Sequence, residues 1–325
     1  MEFDYGDPSR GKSFEDDNFR SALEAIGHTV FHYDFMAQKH LLGTRRMRRD
    51  LVSFASEIDV DVVFLVLFTN ELDPKTLRQL SRATQAPTVN WFADDHWRFE
   101  GFSRRMAQNL DWSITTDPSA LRKYRSHGLQ NVLLSQWACN HHLYHPTDLP
   151  IARDVTFVGQ PHGNRRSVVE SLRQPGIPIE CYGHGWPNGR VTTNEMISLF
   201  GTSAVNINLS NASRSSLPEV AYRRMLRLGG SFGPRPSQIK GRHFEIPGCG
   251  GFQLTEYVPH LEDYFGIGDE IAVYHDPLEL PGAVRYWLDH PDERSKIARN
   301  GLSRILSEHT YDHRFAEIFG RILER

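Results

Sequence analysis

Strand-like runs that are apolar at successive positions constrain this chain most. AVNINLS (204–210) alternates, but DVDVVFLVLF (59–68), APTVNWFA (86–93) and DVTFVG (154–159) do not alternate cleanly between polar and apolar residues. A strand written this way has both faces out of water, the pattern of a parallel sheet covered by helices on each side. Helical segments stand between the runs, as that reading requires. Ser13 is an N-cap with Asp16 three residues on, and Phe19, Ala22, Leu23 and Ile26 recur at helical spacing until Gly27. HTVFHYDF (28–35) is then expected as a strand. Helices at Pro74–Arg82, near Phe102–Asn109 and at Pro118–His127, with strands DWSITT (111–116) and NVLLS (131–135), complete a first α/β half.

The alternation stops at residues 136–154, a polar stretch rich in His and Pro that reads as an interdomain linker. It restarts with DVTFVG, a helix at Arg165–Arg173, IPIECYG (177–183), a helix at Asn194–Phe200 and AVNINLS. EIAVYH (270–275) and helices near Leu280–Asp289 and Asp292–Ser307 follow. The expected fold class is α/β, with two tandem Rossmann-like domains over 1–140 and 141–308, and a last helix over 309–325. Doubly wound sheets bind ligands outside the carboxyl ends of their strands, so an interdomain cleft is the expected ligand position. Only MEFDY precedes the Gly6 loop, so the first strand is either stunted or begins further upstream.

A formal net charge of −3 supplies no basic field, and no nucleic-acid partner is expected. No apolar run nears the roughly 18 residues that a membrane span needs, and the acidic, polar start is unlike a signal peptide. Three widely separated cysteines disfavour a disulfide framework. These features predict a cytoplasmic protein.

KGRHFEIPGCGGFQLTE (240–256) carries charges in an apolar setting. Two readings of Glu245 stand: an acid that steadies a helix start, or a carboxylate that accepts hydrogen bonds from a ribose diol. In the second, Gly250 and Gly251 let a ligand come close, and Lys240 and Arg242 lie near a diphosphate. FVGQPHGNRR (157–166) joins a strand to a helix, placing Gly159 and Gly163 to offer N–H groups to a phosphate, with Arg165 and Arg166 adding charge. An ordinary strand–turn–helix is the alternative there.

FADDHW (92–97) sets Asp94, Asp95 and His96 just after an apolar strand, where α/β folds commonly keep chemistry. They read as a proton acceptor for a hydroxyl, as a helix N-cap, or as a D-x-D-like metal site, which the tandem α/β pattern disfavours. YGHGW (182–186) holds His184 between glycines that serve a ligand or a tight turn. CNHHLYHP (139–146) offers zinc ligands on paper but lacks a second separated pair, so no metal is predicted. RRMRRD (45–50) reads as a solvated helix face.

With those blocks, YFGIGDEIAVYHDPLEL (264–280), HPDERSKIARNGLSRILSEHTYDHRF (290–315), NWFADDHW, TTDPSALRKYRSHG and CYGHGW, the chain resembles the CgeB-like glycosyltransferases over nearly its whole length. The resemblance implies the GT-B fold, with the last helix packing back on the N-terminal domain. It also implies transfer of a sugar from a nucleotide diphosphate sugar to an acceptor hydroxyl on a glycan, protein or small molecule, with no cofactor beyond the donor substrate. In the wider retaining group a Glu five residues before a Gly holds the donor ribose, and Glu245 with Gly250 matches that spacing. The group's paired upstream Glu falls at Ser237, so half of the E-x7-E signature is missing.

On that likeness Gly159, Arg165, Arg166, His184, Lys240, Arg242, Glu245, Gly250 and Gly251 fall on the donor side, and Arg10 and Ser13 on the acceptor side. The expected reaction retains configuration and needs no metal, because cations and helix N-termini stabilise the leaving diphosphate. Asp94, Asp95 and His96 are the catalytic candidates, taking the acceptor proton or orienting the acceptor. A nucleotide-sugar epimerase and a non-catalytic sugar-nucleotide-binding protein are the alternatives on the same fold.

Overall fold

The computed structural model describes residues 1–67, 69–210 and 237–324. Its internal contacts divide the chain into two units, Met1–Asn140 with Tyr311–Arg325, and His141–Thr310.

In the first unit four parallel strands lie side by side in chain order: β1 (Val63–Leu65), β2 (Thr88–Phe92), β3 (Trp112–Thr115) and β4 (Val132–Leu134). Every residue of β2 is buried, as its unbroken run requires. Phe92 joins one core with Met47, Leu51, Leu77 and Leu80, from the helices Thr44–Ser56 and Pro74–Thr84. Val89 and Trp91 face the opposite core with Phe19, Leu23, Phe315, Ile318 and Ile322, so the helix Tyr311–Leu323 packs within this unit. Local chemistry sets the helix starts. Pro74 occupies the first turn of its helix, and Asp73 accepts a hydrogen bond from the Thr76 N–H at 2.8 Å.

Two expectations fail here. Residues 28–34 form no strand among the described residues, and β1 ends the sheet. An apolar, alternating run becomes a strand only where a neighbour completes its hydrogen bonds, and none is in reach. Residues 136–140 are not a free linker. Gln136 Nε2 donates to Thr116 O at 3.1 Å, and Ala138, Cys139 and Asn140 are buried in the first unit.

The second unit holds a five-stranded parallel sheet in the order β6-β5-β7-β8-β9. Its strands are β5 (Arg153–Val158), β6 (Ile179–Tyr182), β7 (Ser203–Asn208), β8 (Gln253–Glu256) and β9 (Ala272–Tyr274). The chain leaves β5 for β6 on one side and returns to β7 on the other, so the winding reverses between β5 and β7. Such a switch point, at the carboxyl ends of the strands, is where doubly wound sheets bind ligands. Val155, Phe157, Val205, Ile207 and Leu254 form the core beneath it. Among the described residues no helix is long and apolar enough to cross a membrane.

Candidate active site

Loops after β5, β6 and β7 meet around two arginines. Arg165 opens the helix Arg165–Arg173 and spans the switch point: Nη1 donates to Gln160 O at 2.9 Å and Nη2 to Leu209 O, beyond β7, at 2.6 Å. Burial, and then the nearby charge of Arg242, pull its pKa down to about 10. Arg166 turns the other way, donating to Gly185 O at 2.7 Å above the Trp186 ring. Trp186 in turn donates from Nε1 to Gly159 O at 2.8 Å. A Cβ on Gly183 would stand 2.5 Å from Gly159 O, so these two loops touch backbone to backbone. His184 lies exposed in the second loop, and the glycine before it answers to that close approach.

The helix Arg242–Gly248 brings Glu245 to the same end of the sheet. His243 anchors the helix, with Nε2 3.2 Å from both Ser210 Oγ, beyond β7, and Thr255 Oγ1 of β8. Burial lowers the His243 pKa to about 4, so the ring is neutral near pH 7. Lys240, half-buried, joins this anchor through its backbone, whose N–H donates to His243 Nδ1 at 3.0 Å.

Glu245 is completely buried, in keeping with the apolar residues around it in the sequence. One carboxylate oxygen, Oε2, accepts a hydrogen bond from Arg242 Nη1. The other, Oε1, is buried with no partner among the described residues. Removing a carboxylate from water costs several kcal/mol unless its oxygens are satisfied, so Oε1 calls for a donor beyond the described residues.

Gly250 and Gly251 close this helix. Gly250 takes a φ of +71°, and a Cβ on Gly251 would meet Phe200 O at 2.4 Å. The chain's own backbone calls for glycine at both positions, whatever else approaches them.

Two further residues belong to this end of the sheet and were not singled out in the sequence. Asn208, the last residue of β7, has a buried Nδ2 without a partner among the described residues. Glu256 closes β8 half-buried; burial raises its pKa against a hydrogen bond from Ser237 and the charge of Arg165. The signal was present: each is a polar residue closing an apolar strand.

The remaining candidates lie in the first unit. Asp94 holds the N-cap position of the turn Asp95–Arg98, though its side chain makes no capping bond, and His96 is half-buried beside it. Asp95 departs from its expected role. It is fully buried and accepts a hydrogen bond from the Tyr124 hydroxyl at 2.9 Å, so it faces the core rather than a substrate. Ser13 is equally committed: its Oγ accepts from the Asp16 N–H at 3.0 Å, as an N-cap does, which removes it from the acceptor side. Arg10 pairs with Asp4 at 3.0 Å over the Tyr5 ring.

Burial raises the Asp95 pKa to about 6. Below about pH 4 both folded and unfolded states hold the proton; between about 4 and 6 only the unfolded state releases it, so stability falls as pH rises. Asp95→Asn is expected to flatten that fall, worth at most about 3 kcal/mol, in urea midpoints measured from pH 4 to 7. Parallel profiles for mutant and wild type would show that Asp95 titrates normally.

A family model described as "Glycosyl transferase-like" matches residues 165–320. The spore protein CgeB of Bacillus subtilis (strain 168) is 20% identical over 259 residues, 77% of this chain and 79% of that protein. Over residues 165–320 the chain is glycosyl transferase-like, and it resembles CgeB over most of its length. Solved structures show its fold as GT-B. Sucrose-phosphate synthase from Thermosynechococcus elongatus superposes with a TM-score of 0.65 at 10% identity, covering 98% of this chain and 97% of that one. Anabaena Alr3699/HepE in complex with UDP and glucose gives 0.62 at 13% identity, over 94% and 89%. The pneumococcal O-GlcNAc transferase GtfA, with UDP and GlcNAc, gives 0.55 at 9% identity, over 86% of this CgeB-like chain and 60% of its own.

Proposed function

We propose that this glycosyltransferase binds a UDP-sugar at the carboxyl ends of β5, β7 and β8 and transfers the sugar to an acceptor hydroxyl with retention and without a metal. The observation that carries this reading is Glu245 Oε1, buried beside Arg242 and unpartnered among the described residues. A ribose hydroxyl supplies the donor that this oxygen lacks. Uridine is the first base to test because HepE and GtfA were each solved with UDP.

The leaving diphosphate needs fixed positive charge, and Arg165 and Arg242 already lie within each other's field. Two guanidinium groups held together gain most from an anion between or beside them. Arg165 Nε has no partner among the described residues, and Lys240 adds a third cation nearby. Asn208 and Glu256 supply further polar groups toward the donor. Asp94 and His96 stay candidates for orienting the acceptor, with Asp95 holding their turn through Tyr124.

Thermal shift reads donor choice: UDP and UDP-sugars should raise the melting temperature more than GDP or ADP at equal concentration. No shift with any nucleotide would overturn the donor site. Transfer is expected to persist in excess EDTA, because side-chain cations do the work of a metal. Loss of activity restored by manganese or magnesium would instead assign the diphosphate to a metal. Without acceptor, the sugar nucleotide should be recovered unchanged; conversion to an epimer would favour the epimerase.

A further inference from the structure

Two acids and two cations stand in a row across the carboxyl end of the second sheet. Arg242 holds Glu245 at one end of the row. Arg165 lies next, within the field of Arg242, and Glu256 lies within the field of Arg165. The pleat of β8 sets the two acids apart. Thr255 turns toward the Glu245 helix, its Oγ1 3.2 Å from His243 Nε2, and its register partner Asn208 turns the same way. Leu254, one residue back, packs in the opposite core with Val168 and Val169 of the helix that Arg165 opens. Successive residues of a strand point to opposite faces, so Glu256 returns to the Leu254 side, that of Arg165. The two carboxylates therefore flank the two guanidinium groups from opposite faces of the sheet.

Glu256 is half-buried, in register with Tyr274 of β9, and accepts a hydrogen bond from the Ser237 hydroxyl. Ser237 stands where half of the E-x7-E signature is missing, so a carboxylate reaches that place from a different strand. A carboxylate has about four lone-pair sites, and Ser237 occupies one of them. The order acid, cation, cation, acid matches a nucleoside diphosphate sugar read along its length: a ribose diol, two phosphates, then a polyhydroxyl ring. This inference rests on the donor site proposed above. With the ribose at Glu245 and the diphosphate at Arg242 and Arg165, the transferred sugar comes to Glu256.

We propose that Glu256 selects the transferred sugar: its carboxylate accepts hydrogen bonds from the hydroxyls of an uncharged sugar and repels a sugar that carries a carboxylate of its own. Discrimination comes as much from the repulsion as from the contact. A uronic acid would bring a further negative charge to a place where Arg165 already serves Glu256 and the diphosphate. The competing role for Glu256 is to moderate the charge of Arg165 without touching the donor.

Calorimetric titration of UDP, UDP-glucose, UDP-galactose, UDP-N-acetylglucosamine and UDP-glucuronate into the full chain separates the two roles. Wild type should bind at least one of the three neutral sugar nucleotides about ten-fold more tightly than UDP-glucuronate. Glu256→Gln should weaken that neutral one about ten-fold, leave UDP within about two-fold, and close the gap to UDP-glucuronate. Glu256→Asp keeps the charge but withdraws it by one methylene. It should also weaken the neutral sugar nucleotide while still disfavouring UDP-glucuronate. Melting curves establish that each variant is folded, and Glu256→Asp carries the test alone if Glu256→Gln is not. A change shared equally by UDP and every sugar nucleotide would reduce Glu256 to moderating Arg165 and overturn the proposal. So would unchanged affinities in the variants, or a wild type that prefers UDP-glucuronate. A wild type that binds none of the five nucleotides would overturn the donor site itself, and the proposal with it.

Discussion

Glu245→Gln is expected to weaken UDP binding about ten- to a hundred-fold, because a hydrogen bond to a charged acceptor contributes roughly 1.5–3 kcal/mol. Glutamine keeps the volume of a fully buried side chain, so the core around Phe244 and Ile246 has no void to fill. It also keeps an oxygen for Arg242, whose Nη1 now donates to Oε2. What changes is the charge and one acceptor, which becomes an NH2 donor aimed where the ribose hydroxyls would donate. Glu245→Ala is the less informative variant. It opens a cavity and strips Arg242 of its partner, so a fall in stability accompanies any fall in affinity. Calorimetric titration of UDP into wild type and Glu245→Gln, with a melting curve for each, separates the roles. A lowered melting temperature at unchanged affinity would make the carboxylate purely structural, and the donor site would have to move.

The two sheets were legible because parallel strands buried on both faces leave an unmistakable pattern. DVTFVG and AVNINLS needed no partner information to be read as β5 and β7. HTVFHYDF was read by the same rule and is not a strand, because a strand also depends on a neighbour that this segment lacks. Burial of single polar residues was less legible still. Asp94 and Asp95 are adjacent and alike in the sequence, yet Asp95 is enclosed because Tyr124, 29 residues on, meets its carboxylate. Glu245 stood beside Lys240 and Arg242 in an apolar setting, with its exact burial unread. Its burial follows from the helix Arg242–Gly248 being enclosed along almost its whole length, which no local pattern announces. Spacing placed Glu245 and Gly250 as a pair; only the structure shows one oxygen of that carboxylate held and the other open.

Gly250 and Gly251 look interchangeable in PGCGGF and should respond very differently to alanine. Gly250 has a φ of +71°, and its added Cβ would find only Pro146 carbons at 3.5 Å, an ordinary contact. Gly250→Ala should therefore cost only the left-handed backbone penalty, about 1–2 kcal/mol. At Gly251 the added Cβ would lie 2.4 Å from Phe200 O, 2.9 Å from Asn206 Nδ2 and 3.2 Å from Ile246 O. Those atoms have little freedom to yield. Asn206 Nδ2 donates to Phe200 O at 3.0 Å and to Phe252 O at 3.1 Å, and Ile246 O accepts from the Gly251 N–H at 3.1 Å. Relief of the clash must push the Glu245 helix away from β7 or break the Asn206 network, so Gly251→Ala should cost about 3 kcal/mol or more, the upper end of overpacking. Urea unfolding of the two variants, with UDP affinity measured on whichever stays folded, checks the ranking. If Gly251→Ala keeps wild-type stability but loses UDP, the glycine makes room for the ligand after all, and the packing argument fails.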